Sequence, residues 1–231
     1  MTDGPLMFVR YAYPPNALGY CGPPDSDAFR DSVGSGELTR LARTFSGAWP
    51  YLEQLAAVSH IGDPLDHRVV EAYWVGSDLL RSAPLPDGGL PHHSFHVFCV
   101  YPWAALLPDP RKAARALTVL DRCRIRWGRV SAVDGDQAAV TFRPLCWDGQ
   151  QLTLGKAAQE TARLSADSTI RPGDWVALHW EWVCDRLSPR QLGALRTYTR
   201  FHLDMLNHKN PISERTVVLP STRFFRFSAL E

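Results

Sequence analysis

The spacing of apolar residues changes from a helical to a strand period near residue 121, and this change limits the folds open to the chain. Upstream, Leu38, Leu41, Ala42, Phe45 and Trp49 recur at helical spacing, and residues 51–58 continue the stripe beyond Pro50 as a second short helix or a kinked extension. A third helix is expected after Asp63-Pro64, aligning Leu65, Val69, Ala72, Tyr73, Gly76 and Leu80 and ending near Arg81. Asp109-Pro110 opens another over residues 111–120. From Cys123 the chain alternates instead: CRIRWGRVSAV, a Val-Asp-Gly-Asp turn, then QAAVTFRPL, the pattern of two strands joined by a hairpin. Further strands are expected at 151–154, 158–164 and 175–183, and evenly spaced short strands signal a small barrel. Ser188-Pro189 then opens a helix over residues 190–207 that buries Leu192, Leu195, Tyr198, Thr199, Leu203 and Leu206.

The expected class is therefore α+β. A mainly helical domain spans residues 1–120, a β-barrel plus helix spans 121–210, and a tail spans 211–231. Within the first domain, residues 1–36 are dense in Pro, Gly, Tyr and Asp and read as ordered irregular structure. The run SFHVFCVY, residues 94–101, reads as a buried strand. The tail carries FFRF at residues 224–227 and reads as a strand added to the first domain or to a neighbouring subunit.

Lys plus Arg total 25 against 24 for Asp plus Glu, so the net charge of +1 supplies no basic field for nucleic acid. The N-terminal residues do not resemble a secretory signal, and no stretch reaches the roughly 18 apolar residues of a membrane span, so a cytoplasmic protein is expected. The five cysteines, Cys21, Cys99, Cys123, Cys146 and Cys184, form no CxxC pair, which argues against a disulfide framework or a zinc ribbon and fits a reducing compartment. Motifs of nucleotide hydrolysis, zincin proteolysis, α/β-hydrolase chemistry and dinucleotide binding do not occur.

Three features of the β-rich half occur in a telling order. A cysteine opens C-R-I-R-W-G, with Gly128 five residues on; V-D-G-D-Q-A-A-V forms a hairpin around Gly135; and R-P-G-D-W-V-A-L-H, with Pro172, Gly173, Asp174 and Trp175, ends on His179. In this order, over about residues 121–207, the chain resembles the HypC/HupF family of [NiFe]-hydrogenase maturation chaperones, small OB-like β-barrels with a following helix. The resemblance implies a carrier or chaperone rather than an enzyme. It would bind a HypD-like maturation protein or a hydrogenase large-subunit precursor and transiently hold an Fe(CN)2CO unit through Cys123 and His179, with Gly128 in the partner-binding strand. Thiolate and imidazole suit such an iron centre. In that family the cysteine becomes the chain terminus, whereas Cys123 is internal; Trp127 replaces the proline before the glycine, and Trp180, Glu181 and Trp182 replace small residues after the histidine.

A second candidate is HHSFHVFC: His92, His93, His96 and Cys99, with Cys21 upstream. These side chains are zinc or iron ligands by type. On a strand, however, His92 and His96 would share one face while His93 and Cys99 share the other. The readings alternative to a maturation chaperone are thus a metal-dependent enzyme or metal-binding protein using this cluster, or a non-catalytic interaction scaffold with a tryptophan-rich surface. Arg122, Arg124 and Arg126 would share one strand face, either solvated or docking an acidic partner. Cys146 and Cys184 read as packing residues.

Overall fold

The computed structural model describes residues 3–209; the expected tail strand lies outside the described residues. Helix α1 (Gly4–Ala17) opens the chain and buries Met7, Phe8, Tyr11 and Ala12. It replaces the irregular structure expected there. Pro14 and Pro15 lie in its last turn and are buried; having no N–H, they leave the Arg10 and Tyr11 carbonyls without ladder donors. Gly4 lets the helix start against the backbone of residues 65–67, because a Cβ would overlap the Leu65 carbonyl. Short helices α2 (Ser26–Asp31), α3 (Glu37–Ala42) and α4 (Trp49–Val58) follow, then α5 (His67–Trp74), which packs on α1 and α4.

The strand expected at residues 94–101 is helical. Helix α6 (His93–Phe95) runs directly into a wider turn, His96–Val100, closed by the Tyr101 N–H donating to the His96 carbonyl at 2.9 Å, five residues back. An uninterrupted apolar run has no period of its own, and burial from His92 through Phe98 makes strand and buried helix look alike in sequence. Helix α7 (Ala113–Cys123) is three residues longer at its end than expected, so Cys123 closes a helix rather than opening a strand.

The β-rich half is a closed five-stranded barrel of β1 (Arg126–Asp134), β2 (Gln137–Phe142), β5 (Ala158–Arg163), β7 (Trp182–Arg186) and β6 (Trp175–His179), paired in that order. Between β2 and β5 a separate hairpin forms from β3 (Leu145–Trp147) and β4 (Leu152–Leu154). Closure removes the free edges, and Val130, Ala138, Val140, Phe142, Ala162, Leu178 and Val183 fill the interior. Gly128 pairs with Phe142 on one side and Val176 on the other; a Cβ there would overlap Val140 and lie 3.0 Å from the Thr141 carbonyl. The single strand expected at 175–183 is two, split by a turn at Trp180 and Glu181, where Trp180 takes φ +53°.

Helix α8 (Pro189–Lys209) buries the six residues expected of it and returns across the helical half. One apolar core runs from Phe8, Leu52 and Trp74 into Ile125, Trp127, Ala177, Leu195 and Tyr198, so the helical half and the barrel share packed side chains. No described helix is long and apolar enough to cross a membrane.

The arginine face expected on the first strand is largely internal. Arg124 and Arg126 are 1% and 0% exposed. Arg124 precedes β1 and bonds Asp121 and the Arg143 carbonyl, whereas Arg126 pairs with Glu160 and donates to the Trp180 carbonyl. Arg122, about a third exposed, also faces Glu160 at 3.6 Å. These contacts satisfy charges that apolar surroundings would otherwise penalise. Glu160→Ala, which strands the Arg126 charge, is expected to cost about 3 to 5 kcal/mol of unfolding free energy, and the Arg126→Met/Glu160→Leu pair much less. Urea titration of both variants checks this; equal losses would count against it.

Candidate metal centre

Three chain elements end at one buried point. Helix α6 starts at His93, α7 ends at Cys123 and β6 ends at His179. One donor atom from each lies within 4.8 Å of the other two, and the residues are only 5%, 8% and 1% exposed. A histidine from the helical half thus joins the cysteine and histidine singled out in the β-rich half. Two imidazoles and a sulfur in this arrangement can hold a metal ion.

The surroundings orient each group. His179 Nδ1–H donates to the Tyr11 carbonyl at 2.6 Å, and its Nε2 is buried with no hydrogen-bond partner. His93 lies with Nδ1 3.2 Å from the Tyr73 hydroxyl and Nε2 2.8 Å from the Cys123 carbonyl. The Tyr73 hydroxyl is also 3.1 Å from the Gly47 carbonyl. Trp74 packs against both imidazoles, with ring centroids 4.6 Å from His93 and 5.8 Å from His179.

Burial controls the protonation of all three. It lowers the His93 pKa to about 4 and, with His93 as a further cause, holds His179 well below the usual histidine range. Burial, and secondarily Cys21, pushes the Cys123 thiol up. Without a cation the group is therefore two neutral imidazoles and a thiol. A thiol in this state is a poor nucleophile, but a bound cation would draw off its proton.

The expected histidine cluster divides differently. His92 Nδ1 accepts from the Ser94 N–H at 3.2 Å and lies 2.7 Å from the Ser94 hydroxyl, which also contacts His202 Nδ1 at 2.8 Å. His96 is buried beside Tyr51 and Tyr101, and neither ring nitrogen has a hydrogen-bond partner. The half-buried Cys99 lies with Sγ 3.9 Å from the His202 carbonyl. Half-buried Cys21 has its pKa raised to about 12 by burial. Of these five residues only His93 belongs to the three-residue group. The face assignment made for a strand does not apply, because the segment is helical. Tyr11, Tyr73 and Trp74 were not legible as site residues: Tyr73 falls on the expected core stripe of the third helix, and Tyr11 in the stretch read as irregular.

A family model described as a family of unknown function, DUF6390, matches residues 1–85 and 80–212. The chain belongs to this family. The second matched segment contains all three residues of the group, so in this DUF6390 protein the site lies within the matched region. No curated protein and no solved structure gives a significant match.

The buried imidazoles also make stability depend on pH. His96 and His202 are lowered to about 3 and about 4, chiefly by burial, and His92 lies well below its usual range for the same reason. In the unfolded chain these rings take up protons as pH falls through about 6.5, while in the folded protein they stay neutral to about 4 or below. Their contribution is complete above about pH 6.5 and is lost on acidification, at up to about 1.4 kcal/mol per pH unit for each ring. Urea midpoints should fall clearly between pH 7.5 and pH 5.5; unchanged midpoints would show that these rings are not held neutral.

Proposed function

We propose that this DUF6390 protein is an accessory protein of [NiFe]-hydrogenase maturation. It binds a HypD-like partner or a large-subunit precursor and handles the Fe(CN)2CO unit at Cys123 and His179. The supporting observation is the meeting of these two residues, far apart in sequence, within the buried group, with His179 Nε2 bare. Their chemistry suits the cargo. A soft sulfur and an imidazole are ligands for iron, and iron displaces the thiol proton that burial retains in its absence.

The internal position of Cys123 changes how the cargo would reach the site. The cysteine is held between α7 and the barrel, so transfer requires that surrounding groups move rather than that a chain terminus extends. Tyr20, 40% exposed, stacks on the buried Trp180 ring at 4.3 Å, next to His179 in the chain. Displacement of this partly exposed stack is the opening movement the proposal requires.

The test is co-expression of tagged protein with the large-subunit precursor and the HypD-like protein under anaerobic conditions. Wild type should capture a partner and show cyanide and carbonyl stretching bands in the infrared, whereas Cys123→Ala and His179→Ala, with wild-type near-ultraviolet circular dichroism, should lose the bands. Absence of capture by wild type, or equal bands in all three proteins, would overturn the reading.

A further inference from the structure

We infer that His93, Cys123 and His179 together form a three-coordinate site for one divalent transition metal ion of the zinc, iron(II) or cobalt(II) class, with His93 supplied by the helical half. The site shares two residues with the proposed function and deepens it, but metal binding by the isolated protein stands or falls separately.

The first observation is distance. Metal–nitrogen and metal–sulfur bonds of about 2.0 to 2.3 Å place tetrahedral ligand atoms roughly 3.5 Å apart. Donor atoms already within 4.8 Å of one another need only a small inward shift. The second is the state of His179. The Tyr11 carbonyl accepts the Nδ1 proton at 2.6 Å, which leaves Nε2 as a lone pair with no donor, in a residue 1% exposed. A backbone carbonyl on the far nitrogen is also how metal-ligating histidines are oriented.

The third is a shortage of protons around His93. The line Gly47 carbonyl, Tyr73 hydroxyl, His93 ring and Cys123 carbonyl contains three contacts of hydrogen-bond length. Both ends are pure acceptors, and a neutral imidazole plus a phenol bring one proton each, so only two contacts can be hydrogen bonds at once. The ring can give up either nitrogen to a metal and keep a partner on the other. Tyr73 serves the Nδ1 side and the Cys123 carbonyl the Nε2 side. With both ring nitrogens partnered, the contact left without a proton is the one between the Tyr73 hydroxyl and the Gly47 carbonyl, and a metal on Nε2 would let the Nδ1–H donate to Tyr73 and the Tyr73 O–H to Gly47.

The donor set also selects the ion. The group has no carboxylate and cannot supply the oxygen shell that calcium or magnesium requires, whereas sulfur with imidazole suits zinc and the later first-row metals. One thiolate leaves a divalent ion with a single positive charge and an open position. A small exogenous anion, hydroxide or cyanide, would balance that charge in apolar surroundings that penalise unbalanced charge.

Cobalt(II) titration of the chelator-treated full chain tests the inference. Wild type should bind one equivalent, with a thiolate-to-cobalt charge-transfer band in the near ultraviolet and visible ligand-field bands, and zinc should displace it. Cys123→Ser should lose the charge-transfer band, and His93→Gln should weaken binding at least about tenfold. His93→Cys, which restores a ligand, should recover binding with a stronger charge-transfer band, separating ligation from folding. Absence of bands in wild type, or a wild-type titration by His93→Gln, overturns the site. Partner capture without cobalt binding would leave the maturation reading standing alone; cobalt binding without capture would leave only the metal site.

Discussion

The hydrogen bond from His179 Nδ1–H to the Tyr11 carbonyl joins the last residue of β6 to the first helix, and much of the arrangement follows from it. It holds α1 against β6, where Trp74 packs on both His179 and His93. It also decides which nitrogen of His179 carries the proton. In a buried setting that keeps the ring neutral, one N–H committed to a carbonyl leaves the other nitrogen a lone pair. A contact that assembles two halves of the chain therefore also sets the chemistry of the point where they meet.

The internal cysteine is the other half of that relation. A terminal cysteine strand can be handed to a partner, whereas Cys123 is the last residue of α7, with its carbonyl 2.8 Å from His93 Nε2 and its side chain in the core shared with Leu120, Trp180 and Leu203. The helical half completes the site at the end of the barrel's β6. It covers the cysteine and histidine, raises the thiol pKa through burial and contributes a second imidazole as the third ligand. The tryptophans at positions 127 and 180, which replace smaller residues of the resembled pattern, are buried.

Parts of this were legible in the residues. The change of period located the boundary between helices and barrel; Gly135 marked the hairpin; and the stripe from Leu192 to Leu206 identified α8 with its buried face. Other parts were not, for local physical reasons. Phe8 and Tyr11 belong to a helix whose prolines read as breakers until its packing on α5 is seen. Residues 94–101 are apolar on every side, so no period separates strand from helix. Arg124 and Arg126 follow a strand alternation and were expected near solvent, yet Asp121 and Glu160 hold them inside.

The sequence by itself determined the α+β class, the barrel with its following helix, and Cys123, His179 and His93 as residues able to ligate a metal. Those inferences rest on spacing and side-chain type, which are local properties. Only the tertiary structure decided that His93 joins Cys123 and His179 while His92, His96, Cys99 and Cys21 do not, because that depends on where α6, α7 and β6 end relative to one another. It also decided protonation: burial keeps the imidazoles neutral, and the carbonyls of residues 11, 47 and 123 determine where the few remaining protons can sit.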